Sequence, residues 1–216
     1  TQHIVQYLID EIVLVYPEIT IGSLRNRGAD KAKNEILAFI DSDCILCDGW
    51  RDSVIEIFEN TTACATGSSC MISDNAPWVE RAWKPERPVE KKETDFIASA
   101  NFIVRKDSFQ KIGGFNEVLT TDEDSNICYK LKQHGFRLIE SPGTKVIHLG
   151  NPKTISQFIK RERWRATNFV DTLFEGKVNK PAFMTFIFFC CLLLGIILLI
   201  WQTYNKNYLP GFILFV

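Results

Sequence analysis

Apolar residues recur at helical spacing from the start of the chain. Ile4, Val5, Leu8, Ile12 and Val15 predict a helix that Pro17 ends. A second helix is predicted over Ser23 to Asn34, with Ser23 as its N-cap. The pattern then changes. Ile36-Leu37-Ala38-Phe39-Ile40 is a short apolar run with charge on both sides, which predicts a buried strand of a parallel sheet. Gly49 to Asn60 predicts a helix with Trp50, Val54, Ile55, Ile57 and Phe58 as its apolar positions. Thr62 to Met71 and Phe96 to Val104 predict strands. Between them, Asp74 to Glu93 has no period and holds three prolines and two tryptophans, Trp78 and Trp83. A loop of that length inside a domain is usually functional. The tryptophans serve either packing or stacking on a ligand ring. Thr120 to His134 predicts a helix stopped by Gly135. Two short strands follow, Phe136 to Glu140 and Thr144 to Leu149, around Pro142-Gly143. Helices and strands in this alternation define an α/β fold.

The last third is patterned differently. Thr154-Ile155-Ser156-Gln157 fits a capping box. The helix it opens gathers Ile155, Phe158, Ile159, Ala166, Phe169, Val170 and Leu173 on one face and Arg161, Arg165 and Asn168 on another, as expected for a helix lying at a membrane surface. From Asn151 to Lys180 there are seven basic residues and three acidic ones. The next twenty, Ala182 to Trp201, carry no charge, and that length spans a bilayer. The expected division is therefore a catalytic domain over 1–150, an amphipathic helix and linker over 151–180, and one or more transmembrane segments over 181–216. Lys177 and Lys180 beside the span place the preceding domain on the cytoplasmic face of the cell (inner) membrane by the positive-inside rule. Both ends of the chain fall inside patterned segments, so it is expected to be part of a longer protein.

Composition narrows the chemistry. The formal net charge of −1 over 216 residues gives no footprint for nucleic acid. Seven cysteines are scattered, and Cys44-x-x-Cys47 has no second pair, which argues against a four-ligand structural zinc and for a reducing compartment. The central strand runs directly into Asp41-Ser42-Asp43. Ligands of open α/β sheets bind beyond strand ends, and paired carboxylates there suit a hard divalent cation or a sugar nucleotide. Asp122, Glu123 and Asp124 fill the first turn of a predicted helix. Capping explains that placement by itself, and the helix dipole is expected to help keep Asp124 ionised.

Taken in order, Arg25-Asn26-Arg27-Gly28, Asp41-Ser42-Asp43, Gly49-Trp50, Ala100-Asn101, Gly113-Gly114-Phe115-Asn116-Glu117, Glu123-Asp124 and His148 resemble the motifs of family 2 glycosyltransferases with the GT-A fold. The resemblance covers roughly Ile19 to Trp164. It implies a mixed, mainly parallel sheet flanked by helices, incomplete at its N-terminus because the first strand and base-binding loop are missing before Thr20. It implies inverting transfer of a sugar from a nucleotide-diphosphate-sugar donor to a glycan or lipid-linked acceptor, with Mg²⁺ or Mn²⁺. By the same resemblance Asp43, Asp41 and His148 hold the metal, Asp41 also lies near the donor's ribose or sugar, Arg25 and Gly28 line the nucleotide pocket, Asp124 is the base and Glu123 positions the acceptor. Asn101 is assigned to substrate. Lys160-Arg161-Glu162-Arg163-Trp164 is similar to the Gln-x-x-Arg-Trp motif of processive members, with Lys160 in place of Gln. Arg163 then faces the diphosphate and Trp164 the acceptor; the same residues also fit the basic face of a membrane-surface helix. Other readings are transfer to polyprenyl phosphate, and a non-catalytic membrane module that keeps the fold for binding.

Overall fold

The computed structural model describes residues 19–83, 90–165 and 180–204, in two units divided after Asn168. The helix predicted over residues 1–15 lies outside the described residues. In the first unit, α1 (Ile21–Lys31) opens at Thr20, not at Ser23. Thr20 is extended, its Oγ1 accepts the Ser23 N–H at 3.2 Å, and Ser23 is already inside the helix and buried. The strand β1 (Ile36–Ile40) leads into the short β2 (Cys44–Leu46), then α2 (Trp50–Asn60) and β3 (Ala63–Gly67).

The stretch expected to lack periodicity contains a six-residue helix, α3 (Trp78–Trp83), and a two-residue strand, β4 (Lys92–Glu93); residues 84–89 lie outside the described set. Then come β5 (Asn101–Arg105), α4 (Lys106–Lys111), α5 (Glu123–Gln133), β6 (Arg137–Glu140), β7 (Val146–His148) and α6 (Ile155–Arg165).

Five strands form a mixed sheet in the order β1-β5-β3-β6-β4, and β2 pairs with β7 in a separate ribbon. The β3–β6 pair is parallel, while β1–β5, β3–β5 and β4–β6 are antiparallel. The expectation that β1 sits among parallel neighbours is thus corrected: its described partner, β5, runs the other way. Burial is also less than the run suggested, with Leu37 buried, Ala38 exposed and the other three between; an apolar run says nothing about the direction of the neighbouring strand.

Alternation along β5 builds the core on both faces of the sheet. Phe102 and Val104 join Leu37, Phe109, Phe115, Ile127 and Leu131 on one face. Ile103, between them, joins Val54 and Phe58 of α2 on the other. Phe39, Phe102, Phe109 and Phe115 meet as a ring cluster with centroids 5.1–6.2 Å apart. Such pairs add to simple area burial, and this cluster fixes β1 against the Gly113-Gly114-Phe115 turn.

The second unit contains α7 (Lys180–Tyr204). Within it, Phe186–Tyr204 is long and apolar enough to cross a membrane, the only such helix among the described residues, and none of that stretch is buried against protein. Nineteen residues rise about 28 Å, close to the roughly 30 Å of a bilayer's hydrocarbon core.

Candidate active site

Four chain segments converge beyond the end of β1: Asp41 to Asp43, Ala98 to Ala100, Thr121 to Asp124, and His148 to Asn151. With α6 they enclose a crevice of about 540 Å³, lined among others by Asp41, Glu123, Asp124, His148, Arg161 and Trp164. The backbone explains the convergence. Asp41 N–H donates to Ala100 O at 3.2 Å, which holds the start of the acidic turn against the entry to β5. Leu149 N–H donates to Asp43 O at 2.8 Å, which ties the end of that turn to β7.

Arg25 organises one wall. Its guanidinium donates to Glu123 Oε1 at 2.6 Å and to Asp41 Oδ1 at 2.8 Å, and it lies over the Phe115 ring at 5.6 Å. Ser99 Oγ donates to the same Glu123 oxygen at 2.9 Å. Glu123 is buried, so this pairing is what lets a carboxylate sit there. The neighbouring Asn26 secures the turn that carries Phe115: its Oδ1 accepts Phe115 N–H at 2.9 Å and its Nδ2 donates to Phe115 O at 3.0 Å. Gly114 has φ +64°, and a Cβ there would come within 2.6 Å of Asn26 Oδ1, so the second glycine of the turn is required on both counts.

The first turn of α5 carries strain as well as acid. Asp122, the N-cap, has φ +62° and makes no side-chain capping bond. A left-handed non-glycine residue is uncommon and costs about 1–3 kcal/mol where the surroundings impose it. Capping alone therefore does not explain the acidic triplet. Asp124 follows; its Oδ1 accepts the Ser125 N–H at 2.8 Å. Burial, and then the charge of Glu123, push its carboxyl above the ordinary range. Whatever help the helix dipole gives the ionised form, desolvation outweighs it here.

The other wall holds the candidate cation ligands. His148 Nε2 lies 3.5 Å from Asp43 Oδ1. Donor atoms of Asp43, Cys44 and His148 all fall within 4.8 Å of one another. Gly150 leaves room for this, since a Cβ on it would run into Asp43 Oδ2. Asn151 holds the turn behind: its Nδ2 donates to the buried Glu80 Oε1 and to His148 O, each at 3.0 Å. Asp41 is not part of this cluster. Of the two aspartates expected as ligands, the structure places Asp43 with His148, while the Asp41 carboxylate is held by Arg25.

Three further expectations change. Asn101 is fully buried, and its amide is occupied by protein: Nδ2 donates to Thr144 O at 2.6 Å and Ser68 Oγ at 3.3 Å, and Oδ1 accepts Trp50 Nε1–H at 3.1 Å. It supports the strand end and lies outside the crevice lining. Arg163 lies on a different face of α6, beside Ile155, Ile159 and Lys160; Arg161 and Trp164 are the α6 residues at the crevice. The basic residue that aligns with a motif by position is displaced by two because the face of a helix is set by its angular period. Gly28 is exposed on α1, outside the crevice lining. Trp78 is exposed and also outside it, and the Trp83 side chain lies outside what is described. The sequence reading missed Ser99 and Phe96, a small hydroxyl and a lone aromatic without any distinguishing pattern; both line the crevice.

Comparison with known proteins agrees with this architecture. A model for Glycosyl transferase family 2 matches residues 3–113, and one for Glycosyl transferase family group 2 matches residues 89–216. A Pre-mycofactocin glycosyltransferase, present in two strains of Mycobacterium tuberculosis, is 25% identical over 147 residues, which are 59% of this chain and 29% of that protein. The chain thus spans under a third of the length of those relatives. The solved structure of the mannosyltransferase PcManGT from Pyrobaculum calidifontis, in complex with GDP-Man and Mn²⁺, matches with a TM-score of 0.51 at 18% identity, over 74% of this chain and 46% of that one. That likeness bears on the fold, which is the GT-A fold. With two overlapping family models, each covering more than half of its residues, this chain belongs to glycosyl transferase family 2.

Proposed function

We propose that this chain carries the catalytic region of a membrane-associated glycosyltransferase that moves a sugar, with inversion, from a nucleotide-diphosphate-sugar to a hydroxyl of a glycan or lipid-linked acceptor. The observation that carries the reading is a crevice lined by the Arg25-bridged carboxylates, the partly buried Asp124 and His148, whose Nε2 lies 3.5 Å from Asp43 Oδ1 just behind it.

Asp43 and His148 fit a divalent cation, with the cradle that Gly150 leaves open beside them. Mg²⁺ or Mn²⁺ bound there would offset the charge gathering on the leaving diphosphate. Arg161 adds a positive group on the same crevice, and Trp164 offers a face on which an acceptor sugar can stack. Asp41, fixed by Arg25, accepts from hydroxyls of the ribose or donor sugar. Glu123 Oε1 is held by Arg25 and Ser99, so the part of this residue is to hold the shape of the acceptor side.

Asp124 takes the acceptor's proton. As the hydroxyl oxygen bonds to the anomeric carbon from one face, the bond to the diphosphate oxygen breaks on the other, and the proton passes to the Asp124 carboxylate. A carboxyl held above its ordinary range is a stronger base once ionised, which suits a poor nucleophile such as a sugar hydroxyl. Lys177 and Lys180 beside the apolar helix support a cytoplasmic catalytic region.

The test is a screen of nucleotide-sugars with the full chain in membranes, with and without Mn²⁺. Transfer, or slow donor hydrolysis, that needs the cation is expected. Donor turnover that persists in chelator would remove the cation site from the mechanism, and no turnover or binding of any donor would favour a non-catalytic module.

A further inference from the structure

The cation site contains a donor that neither the paired aspartates nor the histidine accounts for. Cys44 and His148 are directly opposed in the antiparallel β2–β7 ladder. Opposed residues of an antiparallel pair project to the same face with Cβ atoms about 4.5–5.5 Å apart. The thiol therefore points to the side on which His148 meets Asp43, and its sulfur lies within 4.8 Å of both their donor atoms. Asp41, the expected second oxygen donor, has its carboxylate held by Arg25.

Resting on the placement of the cation at Asp43 and His148, we propose that Cys44 is a third protein ligand, and that the site accepts thiophilic divalent cations such as Zn²⁺ and Co²⁺ more tightly than Mn²⁺. One carboxylate, one imidazole and one thiolate form the three-ligand set of an open zinc-type site, with the fourth position left toward the crevice that His148 lines. Nitrogen and sulfur donors favour Zn²⁺ over Mn²⁺, and a thiolate suits softer cations, whereas Mg²⁺ prefers oxygen alone. On binding, the Cys44 S–H bond breaks, its proton goes to solvent and a metal–sulfur bond forms; no oxidation state changes. Zn²⁺ would then displace the catalytic cation from the same three side chains.

The experiment is titration of the full chain in detergent with Co²⁺, followed by absorbance. A sulfur-to-cobalt charge-transfer band in the near ultraviolet is expected, lost in Cys44→Ser and kept in Cys47→Ser and Cys70→Ser. Zn²⁺ competition should show at least ~10-fold weaker affinity in Cys44→Ser, the least that even removal of an outer partner costs a metal site, with Mn²⁺ affinity changed much less. Co²⁺ bound without a sulfur band, no Co²⁺ bound at all, or a band that survives in Cys44→Ser would each overturn the proposal. A wild-type spectrum without a sulfur band overturns the proposal however the variants fold, and Cys44→Ala serves as the second variant should Cys44→Ser fold poorly. Mn²⁺-dependent nucleotide binding on the same wild-type sample separates the two readings. If it is present without a sulfur band, only the thiol ligand is lost; if it is absent while the band is seen, the transferase reading fails and the metal site stands.

Discussion

At the scale of single residues, the site depends on which charges are paired and which are left to work. Arg25 bridges Asp41 and Glu123, one positive charge between two carboxylates, and Asp124, one residue on from Glu123, is left in a desolvated position beside it. The consequence is a linkage that can be measured. Asp124 in the unfolded chain titrates near 3.8, and in the fold its pKa is raised. Between those two values the folded state binds more protons than the unfolded one, so this group's contribution to stability falls as pH rises through that window. Above it, the ionised carboxylate is a standing cost. Asp124→Asn keeps the oxygen that accepts Ser125 N–H and removes that cost. The variant should melt no lower than the wild type at neutral pH, and should lose roughly 10²–10⁴-fold in transfer rate with donor affinity little changed. The acid limb of the wild-type rate profile should lie above the usual carboxylate range. A normal rate with a lowered melting point would leave Asp124 as a helix-terminal residue without a role in proton transfer. These pairings were only partly legible beforehand. The chain order of Arg25, Asp41 and Glu123 is in the sequence, but which carboxylate the arginine chooses depends on how α1 packs against α5.

At the scale of elements, the turn after β7 sets the geometry of the candidate cation ligands. His148 is placed by its ladder with β2, Asn151 anchors the turn to Glu80, and Gly150 makes space for Asp43. Gly150→Ala should therefore shift Asp43 and weaken Mn²⁺ binding by at least ~10-fold, while the melting temperature changes little because the turn lies outside the main apolar core. Calorimetric titration with Mn²⁺ checks it, and an unchanged affinity would show that Asp43 can move aside without loss. Elements with one clear period were readable from the chain. The apolar stripe of α2 and the C-terminal glycine of α5 marked their helices to within a few residues. The direction of β1 was not readable, since an apolar run has the same composition in either orientation. The helix α3 was hidden by flanking prolines, and its six residues are too few to show a period. Arg161 was passed over for Arg163 because motif alignment counts positions, whereas access to the crevice is decided by angle around α6.

At the scale of the whole molecule, two units of opposite character share one chain. The first buries its apolar residues around the Phe39–Phe102–Phe109–Phe115 cluster. The second exposes its own along Phe186–Tyr204, a surface that water does not tolerate and a bilayer does. The protein should stay with membranes through an alkaline carbonate wash and leave them only in detergent; recovery as a soluble monomer would mean that α7 packs against protein instead. The amphipathic segment predicted over 151–180 is described only to Arg165, where Ile155 and Ile159 are exposed beside Lys160 and Arg163, consistent with a helix that meets a headgroup layer. The central claim is that Asp43, together with His148, holds the cation through which a nucleotide diphosphate binds. The direct measurement is calorimetric titration of the detergent-solubilised full chain with nucleoside diphosphates, in Mn²⁺ and in chelator, for wild type and Asp43→Ala. Binding heat in wild type with Mn²⁺ alone, abolished in Asp43→Ala at an unchanged melting temperature, is the predicted result. Equal binding in chelator, or in the variant, would contradict it.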